Sequence, residues 1–364
     1  MTGEVAEDAE RWKRLHNDLQ DLPQHPVAKT HPRNWVFRIK RATDFIGHSD
    51  PNAAQLLRRM NPYPKPWQHV RLRTEDNVQI AAWYGPSRRT DPPFGLVLVP
   101  GMFATKDDTI HKRRAIRIWR HWDIPVMCID LRAFGESTGI ATAGWKEALD
   151  VHAAVKYLAD ISGVKKVGVM AESMGGAAAL NAAAHDSASG TELMGGGVLT
   201  WSAFVDSKDA VEYISAKPPR DHPFYTKWAG FNRMLMGRSH GQYGNFLELM
   251  VDTARVNGLA TIEELWELAN PKWKVALMHA PTLVVHATDD PIVPVRHARR
   301  MERYARDHPH IQVLLTTWGE HTGFEAMDPW WFWEVIRLFF GEVNDVALPN
   351  LYHHKDSVPS FPEP

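Results

Sequence analysis

A short apolar run that meets a serine among small residues, Lys166-Val-Gly-Val-Met-Ala-Glu-Ser173-Met-Gly-Gly176, constrains the fold of this chain more than any other feature. Val167 to Ala171 reads as a buried parallel strand, and Met174 to Ala184, dense in alanine and glycine, reads as a helix lying close against a sheet. A serine between such a strand and such a helix sits on a very tight turn, so the residues two before and two after it must be small. Here they are Ala171 and Gly175. This is the spacing of a nucleophile elbow with alanine in the first glycine position, and it lifts the serine oxygen to the carboxyl edge of a sheet, where a base can reach it. The plainer alternative is a helix N-terminus capped by Ser173; the strand before and the helix after favour the elbow.

The chain as a whole is electrically neutral, with 42 Lys and Arg against 43 Asp and Glu. Such a balance offers no broad footprint for nucleic acid or an anionic membrane, and it suits a small neutral or apolar substrate. The single cysteine, Cys128, lies in the apolar run Ile124 to Ile129 and reads as a small core residue, which rules out a disulfide within the chain. An acidic N-terminus and the lack of any apolar stretch of about 18 residues predict neither signal peptide nor membrane span, and hence a soluble cytoplasmic protein.

At 364 residues the chain has room for one large α/β domain with an insertion, or for two small domains. Residues 1–66 form an N-terminal extension, in which Trp12, Leu15, Leu19 and Leu22 share one helical face that either packs on the domain or joins copies into a homo-oligomer. Arg33 to Arg41 mixes cations with aromatics and reads as an amphipathic surface segment, and the proline-rich Asn61 to Pro66 separates the extension from the main domain. A core at 67–201 opens with the hairpin pattern Val70 to Tyr84 and continues with strands near 95–100, 125–130, 167–171 and 196–201, alternating with helices. The pattern resumes over 281–345 with strands Pro281 to His286 and Ile311 to Thr316, and 346–364 is a tail. An antiparallel start followed by repeated strand–helix units predicts a doubly wound, mostly parallel sheet. The stretch 202–280 is too long for a plain connection and is expected to be a helical cap, the other surface on which copies of the chain would associate. Its aromatic and thioether content, with Tyr225 and Trp228 as candidate substrate contacts, suits an apolar acyl or aromatic group.

Serine at its free pKa is a poor nucleophile, so the elbow needs a base within hydrogen-bond reach and an acid to orient that base. Asp289 and Asp290 follow the strand that ends at His286, and His321 follows the strand that ends at Thr316. Asp206 and Asp209, after an earlier strand, are the fallback acids, while His286 inside its strand reads as a core residue. No metal-ligand spacing, phosphate-binding loop or dinucleotide fingerprint occurs, so neither metal nor cofactor is expected.

In their order of serine, acid and histidine, and in the runs Asp289-Asp-Pro-Ile-Val-Pro294 and Gly319-Glu-His-Thr-Gly-Phe324, these residues resemble the α/β-hydrolase superfamily over roughly Gln68 to Gly341, most of all its intracellular esterases and acyl hydrolases. The resemblance implies Ser173 as nucleophile, Asp290 as acid and His321 as base. An oxyanion needs preorganised N–H donors: Met174 supplies one from the elbow itself, and the resemblance points to Met102 for the other, with Phe103 second and as a substrate contact. Three residues depart from the common pattern: Ala171, Pro100 in place of a histidine, and Glu320, which stands where a small residue is usual and where it would crowd or tune the base. The run Asp130 to Gly139 also resembles the superfamily in a bracing role, so Asp130, Arg132 and Ser137 are not expected to react. What is implied is a serine hydrolase acting on a small carboxylic ester or thioester. An acyltransferase with the same acyl-enzyme and a non-water acceptor is the first alternative. A non-catalytic ligand-binding scaffold is the second, and the presence of all three side chains speaks against it.

Overall fold

The computed structural model describes residues 3–27, 62–216, 218, 220 and 243–352. The segment Arg33 to Arg41, the aromatics Tyr225 and Trp228, and the tail beyond Tyr352 lie outside these residues.

Eight strands form one sheet: β1 (Gln68–Arg73), β2 (Gln79–Gly85), β3 (Gly95–Val99), β4 (Val126–Ile129), β5 (Val167–Glu172), β6 (Val198–Trp201), β7 (Thr282–Ala287) and β8 (Ile311–Thr316). They lie in the order β1-β2-β4-β3-β5-β6-β7-β8. Only the opening hairpin is antiparallel, β1 to β2 and β2 to β4; every later pair is parallel. The sequence matches this division. β3, β4, β5, β6 and β7 are buried at every position, as strands covered on both faces must be, whereas β1 keeps exposed polar residues.

Ten α-helices complete the described chain: α1 (Gly3–Gln20), α2 (Thr109–Trp122), α3 (Glu147–Ser162), α4 (Ser173–Ala188), α5 (Ser207–Ser215), α6 (Phe246–Val256), α7 (Ile262–Ala269), α8 (Arg296–Ala305), α9 (Phe324–Met327) and α10 (Pro329–Asn344). One side of the sheet buries α1, α2 and α10 in a core rich in tryptophan and phenylalanine. The other buries α3, α4 and α8 together with residues of α5, α6 and α7. Alanine dominates α4, which lets it approach closely; a Cβ on Gly176 would fall 2.6 Å from the Ala203 Cβ.

The long connection between β6 and β7 carries α5, α6 and α7, whose N-termini are closed by Asp206, Asn245 and Thr261, each accepting a hydrogen bond from a backbone N–H three residues on. No helix among the described residues is long and apolar enough to cross a membrane.

The apolar face of α1 is used within the chain. Trp12, Leu15 and Leu19 are buried against α10 and β8, and the Arg11 guanidinium Nε reaches Glu342 at 2.9 Å. The chain after α1 continues along the core: the Val27 N–H donates to the Met327 carbonyl at 2.8 Å, and the Trp318 indole donates to Gln24 at 2.7 Å. Replacing Leu19, 1 % exposed, with alanine is therefore expected to lower the unfolding free energy by about 2–5 kcal/mol. Urea denaturation measures this, and a loss within error of zero would show that α1 is not docked.

Candidate active site

The elbow takes its shape from backbone crowding. Ser173 has a φ of 53°, a left-handed conformation that serine adopts only under constraint. The constraint is visible on both sides. A Cβ on Gly175 would lie 2.2 Å from the Pro100 carbonyl oxygen, and one on Gly101 would lie 3.2 Å from the Ser173 Cβ. The loop after β3 is thus pressed against the turn, and only glycine fits beneath it. Ser173 is the first residue of α4, so the Met174 N–H belongs to the first helical turn, whose donors have no intrahelical acceptor. The Gly101 to Ala104 turn, closed by Ala104 N–H to the Gly101 carbonyl at 3.2 Å, carries Met102 alongside. Phe103, at a φ of 65°, is buried and sets its ring against Phe134 and Phe246, the latter from α6.

Two later strand ends bring the partners. The Ser173 hydroxyl is 3.0 Å from His321 Nε2, and the opposite ring nitrogen, Nδ1, is 2.9 Å from Asp290 Oδ2 and 3.2 Å from Oδ1. Asp290 is buried, and its Oδ1 accepts from the N–H groups of Ile292 at 2.8 Å and Val293 at 3.0 Å. Burial alone would raise this carboxyl. The facing His321, the nearby His286 and the Val293 N–H outweigh it and hold Asp290 below the ordinary carboxylate value.

The neighbouring Asp289 does something else. It accepts the Glu320 N–H at 2.8 Å and so ties the histidine loop to the acid loop. Glu320 adopts a φ of 47°, and with Gly319 at 134° and Thr322 at 60° it forms a tightly coiled loop that presents His321. The residue that the sequence marks as a departure therefore serves through its backbone. Thr322 N–H donates to Ser202 Oγ at 3.2 Å, which adds the end of β6 to the same brace. His286 Nε2 lies 2.8 Å from the Val293 carbonyl, securing the acid turn from below. Burial depresses the His286 pKa, which keeps the ring neutral and leaves Nε2–H as donor to that carbonyl.

Asp206 and Asp209 make no contact with this line. Asp206 caps α5 and pairs with Lys272, while Asp209 accepts Arg296 Nε at 2.8 Å and Arg300 at 2.8 Å. Asp130, Arg132 and Ser137 brace turns: Asp130 accepts the backbone N–H groups of Lys106 and Glu136 at 2.7 and 2.9 Å, Arg132 bridges Asp150 and Asp76, and Ser137 Oγ links Asp130 to Ala81. Cys128 is fully buried, and burial pushes its thiol well above the ordinary value. A cavity of about 330 Å³ between α1 and β8 shares no lining residue with Ser173, His321 or Asp290.

Sequence reasoning missed a charged layer directly beneath the elbow. Glu172, the residue before Ser173, is 4 % exposed and receives Arg114 Nη1 and His111 Nε2, the latter at 3.2 Å. Arg114 also donates through Nε to Glu325 at 2.7 Å, in α9 just after the histidine loop. One guanidinium thus joins the end of β5 to the helix that follows the His321 loop. Arginine in place of lysine fits the task, because its fork can hold two carboxylates in fixed directions. The only sequence trace was a cation pair, His111 and Arg114, on the face of α2 that also carries Ala115 and Ile118.

Burial by itself would lower the His111 imidazole, but Asp108 and Glu172 more than offset this and carry it from 6.5 up to about 9. A raised folded-state pKa gives stability that is complete below the unfolded value, near 6.5, and is lost as pH rises through about 9. Urea midpoints should therefore decline over that interval in the wild type, and the decline should shrink in His111→Gln; equal slopes in both proteins would remove His111 as its source. Gly175→Ala, forced against the Pro100 carbonyl, should cost about 1–3 kcal/mol by overpacking. The same denaturation assay reads it, and unchanged stability would mean that the loop after β3 yields freely.

Known proteins share this architecture. The family described as alpha/beta hydrolase fold matches residues 96–326. Among solved structures, an esterase of Pyrococcus furiosus is 19 % identical with a TM-score of 0.52, over 76 % of this chain and 93 % of its own. The carboxylesterase EstE1, thermophilic and cloned from a metagenomic library, is 18 % identical with a TM-score of 0.52, over 89 % and 100 %. The alpha/beta hydrolase GrgF of Penicillium sp. sh18 is 17 % identical with a TM-score of 0.54, over 77 % and 99 %. At such identities the likeness is one of fold.

Proposed function

We propose that this chain, which belongs to the α/β-hydrolase family, is a serine hydrolase that cleaves a carboxylic ester or thioester through an acyl-enzyme on Ser173. The observation that carries the reading is the continuous line from Ser173 Oγ to His321 Nε2 at 3.0 Å and from His321 Nδ1 to Asp290 at 2.9 Å. Esterase activity in the names of two structural neighbours supports the same class of bond.

In this mechanism His321 Nε2 takes the Ser173 proton as the oxygen attacks the carbonyl carbon. The ring becomes imidazolium, and Asp290, held ionised by its surroundings, stabilises that charge and fixes Nδ1–H toward itself. Negative charge gathering on the carbonyl oxygen is met by the N–H groups of Met174 and Met102, the one at a helix start and the other on the loop that crowds the elbow. His321 then returns the proton to the leaving oxygen or sulfur. Water, deprotonated by the same nitrogen, attacks the acyl-enzyme, and His321 passes that proton to Ser173 Oγ as its bond to the acyl carbon breaks and the acid leaves. Phe103, with its ring against Phe246 of the β6–β7 connection, shapes the apolar side of the substrate site.

Ser173→Ala should lower the turnover of activated short-chain esters and thioesters by roughly 10³–10⁶-fold and abolish labelling by a fluorophosphonate, with an unchanged circular dichroism spectrum. Turnover and labelling that survive in the folded variant would reject the mechanism.

A further inference from the structure

Away from the triad, three side chains from separate elements meet at one point. Glu75 lies in the turn between β1 and β2, His152 in α3 and His185 in the last turn of α4. Glu75 Oε1 is 3.4 Å from His152 Nδ1 and 3.3 Å from His185 Nε2, and the three ligand atoms lie within 4.8 Å of one another. The two imidazoles stand at 90° with ring centres 4.8 Å apart. We infer that Glu75, His152 and His185 form a binding site for a divalent first-row transition metal, with Zn²⁺ as its best match.

Distances argue first. Zinc bonds of about 2.0–2.2 Å to nitrogen and carboxylate oxygen place the ligands of a tetrahedral ion roughly 3.3–3.5 Å apart. Both separations from Glu75 are edges of that length, and the two imidazole nitrogens lie within 4.8 Å of each other.

The side chain behind His152 argues independently. His152 is 5 % exposed, and its Nε2 makes no hydrogen bond but faces Asp186 Oδ1 at 3.6 Å. A metal on Nδ1 would fix the proton on Nε2, pointing it at Asp186, the carboxylate–histidine–metal arrangement that orients a ligand and raises its basicity. Asp186 is itself held by Thr191 Oγ1 at 2.5 Å and the Met194 N–H at 2.9 Å.

A second carboxylate cluster among the described residues supplies the contrast. Asp107, Asp130 and Glu136 converge on the Lys106 ammonium at 2.6, 2.9 and 2.7 Å, so their charge is already answered by a built-in cation. Among the described residues Glu75 and Asp186 pair with histidines and with no lysine or arginine. His185 and Glu75 are 37 % and 59 % exposed in their side chains, so the cluster is open to solvent on that side. Imidazole donors select zinc, nickel or copper over magnesium and calcium.

His185 follows Ser173 by twelve residues on the same helix, about 18 Å along its axis, so the site acts on the fold and not on the reaction. A bound ion would clasp the β1–β2 turn to α3 and α4, stabilising the native state by mass action.

Isothermal titration of the metal-stripped full-length protein with Zn²⁺, joined to thermal melts and ester turnover, tests the inference. Expected are one Zn²⁺ per chain, a raised Tm, no response to Mg²⁺, and affinity at least tenfold weaker in Glu75→Gln and in His185→Ala, two exposed substitutions that leave turnover unchanged. Failure to bind at one equivalent, or equal Zn²⁺ affinity in wild type and both variants, would overturn it. Because the Tm shift is read without substrate, its outcome is separate from that of the hydrolase mechanism.

Discussion

The left-handed backbone at Ser173 is the constraint from which the site is built. Such a conformation costs a non-glycine residue of order 1–3 kcal/mol and persists only where its neighbours leave no other choice. Here Pro100 and Gly101 press on one side, through contacts that exclude a Cβ at Gly175, and Ala203 closes the other, through Gly176. The same crowding that strains the serine brings the β3 loop, with Met102, beside the first turn of α4. Strain at Ser173 and placement of Met102 are therefore one packing event.

Beneath that turn lies an ionic layer in place of an apolar one. Glu172, Arg114, Glu325 and His111 are mutually paired and largely removed from water. Breaking a buried pair by removing one partner typically costs 3–5 kcal/mol, whereas replacing the whole set with well-packed apolar groups is often neutral. Stability alone therefore does not account for the arrangement. Direction does: two carboxylates on one guanidinium fix the end of β5 relative to α9, and so the hydroxyl relative to the imidazole. An apolar contact would leave that distance free to vary.

The strands, and the Ser173, Asp290 and His321 side chains that the fold brings together, were legible because each is written locally. Buried parallel strands are continuous apolar runs; the small residues around Ser173 marked the tight turn, and the ends of two later strands, with the runs Asp289 to Pro294 and Gly319 to Phe324, pointed to the Asp289 and Asp290 pair and to His321. What separates Asp290 from Asp289 is loop geometry. Both are acids in the same turn, yet one turns to the imidazole and the other to the Glu320 N–H, a division set by the left-handed residues around Gly319. The Arg114 layer and the Glu75, His152 and His185 cluster were invisible for another reason. Apart from His111 and Arg114 on one helix, their members are separated by tens of residues and meet only when the sheet order and helix crossing angles are fixed, so no ligand spacing appears along the chain.

The fallback acids show how the fold uses charge away from the line of Ser173, His321 and Asp290. Asp206 and Asp209 stand where the chain leaves β6 for its long insertion, Lys272 stands where the insertion returns, and Arg296 and Arg300 lie on α8, just beyond the Asp290 turn. Their ion pairs draw the departure and return of some seventy residues together at the base of the insertion, so closure of that long loop is fixed by side chains and not left to backbone entropy. Because Arg296 and Arg300 lie six and ten residues after Asp290, the same clasp restrains the helix beyond the acid loop. An acid at position 206 or 209 could serve a histidine only by leaving this clasp, and with Asp290 already at 2.9 Å from His321 the chain has no need for it to do so.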